Sequence, residues 1–357
     1  MANNKKSQQV EINTDLAMDI EQILNGGFAP LTTFLDKESL DSVLENMRLP
    51  TGEIWPIPIL FPKKNNEPIN SLDSLLLKFQ GHDFAVLDEP KTFEYDLDKL
   101  ITSFYGTNDE KHPGVQTSMK SPHIFITGKL RGISKLNKIL NINYLEPDGV
   151  KSIIKKKCWK KVVGFHTRNP PHRAHEYIHK SVLKNSDALL LHPVIGSKRK
   201  GDFTSEAIMK SYELYVEKYL PKDRVILTPL LTYSRYAGPR EAIFTAIVRR
   251  NYGCTHFIIG RDHTGVKNFY GKYDSQKIFQ NFKDINIEII PFSEPFYCQK
   301  SNVITTKEEC SYGDKYYVEI SGTKIRKAIL EKTEIPEIFI RKEVLGTLQS
   351  MEDVFVN

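Results

Sequence analysis

From residue 162 to residue 291 short apolar runs alternate with helical stretches, and few folds accept that rhythm. The runs at 162–165, 188–195, 225–231, 256–260 and 287–291 are rich in Val, Ile and Leu and lack the in-out alternation of a half-exposed strand. Between them, residues 172–183, 205–219, 239–251 and 274–282 carry helical spacing. Strands buried on both faces and separated by helices predict a parallel, doubly wound α/β sheet. Ligands of such sheets bind at the carboxyl ends of the strands.

Polar clusters fall at those ends. The first strand runs into Thr167-Arg168-Asn169-Pro170-Pro171-His172-Arg173-Ala174-His175. Proline suits a first helical turn, where its missing N–H would be unpaired anyway. The free N–H groups and positive dipole end of that helix favour an anion. His172 and His175, three apart, share one face, and Arg168 offers a planar fork of donors. The second strand leads to Gly196 and Lys198-Arg199-Lys200-Gly201-Asp202, the third to Ser234-Arg235-Tyr236-Ala237-Gly238-Pro239-Arg240-Glu241, the fourth to Gly260-Arg261-Asp262-His263-Thr264-Gly265. Taken singly, Lys198 to Lys200 read as a solvated loop and Pro239 to Glu241 as a helix start. Their recurrence along one rim of the sheet favours a pocket for a triphosphate.

The remaining chain divides around this core. Residues 1 to about 14 read as a disordered or swapped arm, followed by helical spacing at 15–25 that Gly26-Gly27 ends. Residues 55–62 are extended and broken by proline, hence at most an edge or bent strand. Short runs at 75–79, 84–87 and 123–127 read as strands, and 146–157 as a hinge. We expect a β-rich first domain over 1–155, a catalytic α/β domain over 156–297 and a small segment over 298–357. In that segment Ser321 or Thr323 caps an amphipathic helix, and Arg326 on it is a candidate for phosphate contact.

The net charge of +6 comes from 50 Lys and Arg against 44 Asp and Glu, well mixed, which suits small anions and gives no basic patch for nucleic acid. No run approaches the length of about 18 apolar residues that a membrane span requires. The polar start carries no apolar leader core, and four scattered cysteines form no disulfide framework. A cytoplasmic protein with reduced thiols is expected.

The chain resembles the sulfate adenylyltransferase (ATP sulfurylase) family over nearly its whole length. The resemblance is carried by Gly26-Gly27-Phe28-Ala29-Pro30-Leu31 and Trp55-Pro56-Ile57-Pro58, by Thr167-Arg168-Asn169-Pro170 with His172-Arg173-Ala174-His175, by Ala237-Gly238-Pro239-Arg240-Glu241-Ala242 and Gly260-Arg261-Asp262-His263, and by Ile320-Ser321-Gly322-Thr323. It implies a Rossmann-like nucleotidylyltransferase domain, an N-terminal PUA-like domain and a small C-terminal α/β segment. It implies transfer of adenylate from ATP to sulfate, with Mg²⁺ arriving on ATP and a homodimer or larger assembly. By the same resemblance Arg168 meets sulfate. Thr167 and Asn169 lie at the reacting phosphate, and His172 and His175 hold phosphate oxygens. Gly260, Arg261, Asp262 and His263 line the nucleotide pocket, and Ile290 lies near adenine.

Two positions depart from the family wording on the acceptor side. His166 stands where glutamine is usual and Thr264 where alanine is usual. Histidine differs from glutamine in charge and reach. Either sulfate remains the acceptor, or another oxyanion such as a phosphonate or phosphate ester replaces it; a non-catalytic nucleotide sensor is the third reading. Cys298, Ser301, Cys310 and Asp314 occupy positions where many relatives carry a zinc site; they are a poor set of donors, so no structural zinc is expected.

Overall fold

The computed structural model describes residues 7–64, 69, 72–261, 263–266 and 268–356. They group into two compact units that do not follow the chain continuously. One comprises Met1–Gly149, Leu231–Tyr252 and Asp262–Ile287, the other Val150–Leu230, Gly253–Arg261 and Glu288–Asn357.

The first unit is built on a five-stranded sheet. Ser74–Phe79, His82–Glu94 and Ile124–Gly132 form its antiparallel centre, with edges Ser7–Glu11 and Phe61–Pro62. The expected arm is therefore a strand from Ser7 onward, parallel to Ser74–Phe79. Its sequence, SQQVE, is too polar to announce a strand, and backbone pairing rather than side-chain burial holds it at the edge. Residues 1–6 lie outside the described residues. The proline-broken stretch supplies the other edge strand, as its composition predicts. Phe28, Trp55 and Phe244 form an edge-on aromatic cluster at the unit's centre, with ring centroids 5.1–5.8 Å apart.

The second unit carries the parallel sheet. Its strands in chain order are Val162–Thr167, Ala188–Pro193, Val225–Leu227, His256–Ile259 and Glu288–Pro291. Their spatial order is fifth, fourth, first, second, third, all parallel. This is the Rossmann-like order, whose direction reverses between the first and fourth strands. Every residue of Ala188–Pro193 is buried, which explains its unbroken apolar run. Helices Arg173–Leu183 and Ser205–Tyr219 bury Ile178, Val182, Ile208 and Tyr212 in the core that Val163, Phe165, Leu189 and Leu191 share. Gly322–Leu330 and Lys342–Ser350 complete that core through Ile325, Ile329, Val344 and Leu348. The stretch expected to be a hinge forms the helix Pro147–Lys156, and the division between the two units falls within it, after Gly149. Proline and Asp148 lie in its first turn and Lys155 and Lys156 in its last, a charge order that suits the helix dipole. No helix among the described residues is long and apolar enough to cross a membrane.

Candidate active site

The reversal of strand order sets the site. In the second unit it brings the chain leaving the first strand, Thr167 to His172, next to the chain leaving the fourth, Gly260 and Arg261. The first of these exits is tightly fastened. The Thr167 hydroxyl donates to the Asn169 carbonyl at 3.0 Å and accepts the Asn169 N–H at 3.2 Å. Two prolines follow, and His172 caps Arg173–Leu183 by accepting the His175 N–H on Nδ1 at 3.5 Å.

That cap decides the chemistry of His172. With Nδ1 accepting, a neutral ring carries its proton on Nε2 and presents a donor. Burial lowers His172 to about 4 and sets His175 well below the usual histidine range, with His172 and His179 adding repulsion. Both rings are neutral at pH 7. They stack with centroids 3.7 Å apart, and His179 continues the row at 6.1 Å. His179 is fully buried, perpendicular to the Phe165 ring and hydrogen-bonded through Nδ1 to the Tyr215 hydroxyl at 3.1 Å. His172 thus offers a neutral Nε2–H donor at a helix N-terminus, suited to a phosphate oxygen without neutralising it, while the ring proton of neutral His175 is directed at the Pro170 carbonyl.

The cations lie on the loops after the strands and on the helix Gly322–Leu330. Arg326 stacks on Phe203 at 4.4 Å, donates to the Gly201 carbonyl at 2.6 Å and reaches Asn169 Oδ1 at 3.3 Å. It ties the loops after the first and second strands together, and Ser321 rather than Thr323 caps its helix. Lys198 corrects the solvated-loop reading. Its Nζ donates to the Val194 carbonyl at 2.6 Å, and burial followed by the Arg168 charge lowers it to about 8. Only Arg199 and Lys200 are exposed as a charge run would be. Burial lowers Arg326 as well, and Arg168 adds to that while Asp202 opposes it. Two buried cations whose charged forms are opposed by the Arg168 charge mark a place where an anion is favoured. The sequence pointed to Arg168 and Arg326 but read Lys198 as solvated; the signal for Lys198 was its position just past a buried strand.

Of the other expected residues in this unit, His166 pairs in register with His192 across the first two strands. Arg261 forms an ion pair with Glu294, and Ile290 is half-buried in the fifth strand. Asp262 lies outside the described residues. In the first unit, His263 Nε2 lies 2.9 Å from the Thr245 hydroxyl. Thr264, with φ +55°, donates from its hydroxyl to the Gly238 carbonyl at 2.9 Å. Glu241, buried, accepts the N–H groups of Arg235 and Ala237 and so shapes the loop before Gly238.

The cysteine segment does not fit a zinc ion. Burial raises the Cys298 thiol, but hydrogen bonds with Ser301 and Cys310 outweigh it and bring it down to about 7. Asp314 lies 3.4 Å from Lys307. Two thiols, a serine and a carboxylate already facing a lysine do not make four nitrogen or sulfur donors.

The family model for ATP-sulfurylase matches residues 142–351, and one for a PUA-like domain matches residues 1–135. The chain is 38% identical to a sulfate adenylyltransferase of Ignicoccus hospitalis, covering 99% of this chain and 93% of that one. It is 37% identical to one of Pyrococcus abyssi, with 98% and 92% covered, and 40% identical to one of a Synechococcus strain, with 92% and 86% covered. A solved structure described as a hexameric APS kinase from Thiobacillus denitrificans superposes with a TM-score of 0.75 at 19% identity. It covers 99% of this chain, which spans 64% of that one, and it shows a shared fold alone. With the Rossmann-like strand order and these matches together, the chain belongs to the ATP-sulfurylase family, whose members are nucleotidyltransferases.

Proposed function

We propose that this chain joins sulfate to ATP, forming adenylyl sulfate and releasing pyrophosphate. The observation that carries the reading is the strand exit from Thr167 to His175, an anion-binding turn at the point where the sheet order reverses. A sulfate oxygen attacks the α-phosphorus, the new P–O bond forms, and the bond to the β-phosphate oxygen breaks in line with it. No proton has to be gained or lost and no covalent enzyme intermediate is required. The protein's task is to align a poor nucleophile and spread charge on the leaving pyrophosphate.

In this reading Arg168 holds the acceptor anion, and Thr167 and Asn169 hold the loop at the reacting phosphate. His172 and His175 hold phosphate oxygens, His172 as a neutral Nε2–H donor. Gly260, Arg261, Asp262 and His263 serve the nucleotide, and Ile290 serves the base. His166 and Thr264 tune the acceptor. No group of three or more His, Cys, Asp or Glu that would cage a metal occurs among the described residues. The residues of the phosphate-handling turn are neutral or cationic, which fits Mg²⁺ carried by ATP rather than by protein carboxylates. When bound, Mg²⁺ neutralises triphosphate charge. We assign residues 1–155, 156–297 and 298–357 to the PUA-like, catalytic and C-terminal parts of a cytoplasmic homodimer or larger assembly.

The test is pyrophosphate release from purified protein with ATP, Mg²⁺ and each of sulfate, phosphate, a phosphonate and a phosphate ester. Release with sulfate supports the reading. Release only with another oxyanion moves the assignment to that acceptor and to His166 and Thr264. No release with any of them refutes it.

A further inference from the structure

Three neighbouring residues of the first unit hold left-handed backbone: Tyr236 (φ +60°), Gly238 (φ +49°) and Thr264 (φ +55°). For Tyr and Thr this conformation is disfavoured, and it persists only where the surroundings impose it. The surroundings here converge on one side chain. The Tyr270 hydroxyl lies 3.2 Å from the Tyr236 carbonyl, 3.1 Å from the Tyr105 carbonyl and 3.2 Å from His112 Nε2. Its ring covers Gly238 so closely that a Cβ there would stand 2.5 Å from the ring carbons. The Thr264 hydroxyl in turn shares its proton between the Gly238 carbonyl at 2.9 Å and the His263 carbonyl at 2.7 Å.

The direction of the hydrogen bonds follows from His112. This residue is fully buried, and its Nδ1 accepts the N–H groups of Gly114 and Val115 at 3.1 and 3.3 Å. A neutral imidazole accepting on Nδ1 carries its proton on Nε2, so Nε2 donates to the Tyr270 oxygen. The Tyr270 proton is then directed at the Tyr236 and Tyr105 carbonyls. A buried histidine of the β-rich domain thereby fixes the tyrosine that shapes the loop on which Thr264 is fastened.

We propose that His112 and Tyr270 are positioning residues for the acceptor anion. They hold the Tyr236–Gly238 turn, and through its carbonyl Thr264, in the one conformation that receives sulfate. The proposal rests on the reading of Thr264 as an acceptor-side residue. Neither residue touches a substrate; each acts through the loop.

The experiment compares KM for sulfate with KM for ATP in Tyr270→Phe, His112→Asn, the double variant and Thr264→Ala. Phenylalanine keeps the ring over Gly238 and removes the hydroxyl. Asparagine keeps an acceptor for the Gly114 and Val115 N–H groups and removes the reach to Tyr270. Each single variant is expected to raise the sulfate KM roughly five- to tenfold, as loss of one hydrogen bond does, with the ATP KM unchanged within about twofold. The double variant is expected to match the worse single rather than their product. Equal shifts in both KM values, multiplicative effects, lower thermal stability without a KM split, or loss of folding in both singles overturns the proposal. Thr264→Ala separates the two readings. A sulfate-specific shift there beside unaffected Tyr270→Phe refutes the positioning role alone, and no shift in either refutes the acceptor role of Thr264 as well.

Discussion

Gly238→Ala is the sharpest perturbation available in the first unit, because two independent costs meet at one methyl group. The backbone sits at φ +49°, ψ −121°, the first central position of a type II′ turn, which side-chain-bearing residues avoid. Forcing alanine into it costs about 1–3 kcal/mol. The added Cβ would lie 2.5, 2.6 and 2.8 Å from three carbons of the Tyr270 ring, so the ring has to retreat by about an ångström to regain van der Waals distance. Overpacking of that kind costs about 1–3 kcal/mol more. Together these predict a loss of about 2–6 kcal/mol and a fall of roughly 3–8 °C in Tm. Thermal unfolding measures it, and the partner variant Tyr270→Ala divides it. If the ring is the obstacle, Gly238→Ala should cost at least about 1 kcal/mol less in the Tyr270→Ala background, leaving only the backbone term. A Gly238→Ala protein within about 0.5 kcal/mol of the parent would refute both the turn assignment and the contact. Retreat of the ring also pulls its hydroxyl from the Tyr236 carbonyl, so the surviving folded fraction should use sulfate poorly.

Two further outcomes are expected. Arg168→Ala should lower kcat/KM by roughly 10²–10³, the size of losing one preorganised charge partner, while Tm stays within about 2 °C; near-normal turnover would remove Arg168 from the site. Stability should fall on acidification below pH 6.5, because an unfolded histidine binds a proton that buried His179, lowered to about 3, refuses; its share approaches about 5 kcal/mol by pH 3. His179→Gln should flatten that part of the pH profile in urea unfolding, and an unchanged slope would show that His179 is not the group titrating.

What could be read from the sequence divides by the range of the interactions involved. The parallel sheet was legible because its three inner strands are buried almost throughout and announce themselves within a few residues, while the edge strands Val225–Leu227 and Glu288–Pro291 are only partly covered. The helices Ser205–Tyr219 and Pro239–Asn251 fall where the periodicity put them, since Thr204 and Pro239 mark their starts locally. Ser7–Glu11 was not legible, because an edge strand is stabilised by a partner more than sixty residues away and not by its own side chains. Lys198 was hidden in a charge run of which only it turns inward. The same contrast runs through the site. The turn from Thr167 to His175, to which we assign the phosphates, is one contiguous stretch, so local rules single it out without any contact from elsewhere. The loop at Gly238 and Thr264 owes its shape to Tyr270 and to His112, which lies more than a hundred residues earlier in the chain. On the proposed reading, affinity for a nucleotide tail is inherited in a single motif, whereas the choice of acceptor depends on contacts spread over distant segments, so substitutions such as His166 and Thr264 have to be judged together with the residues that hold them.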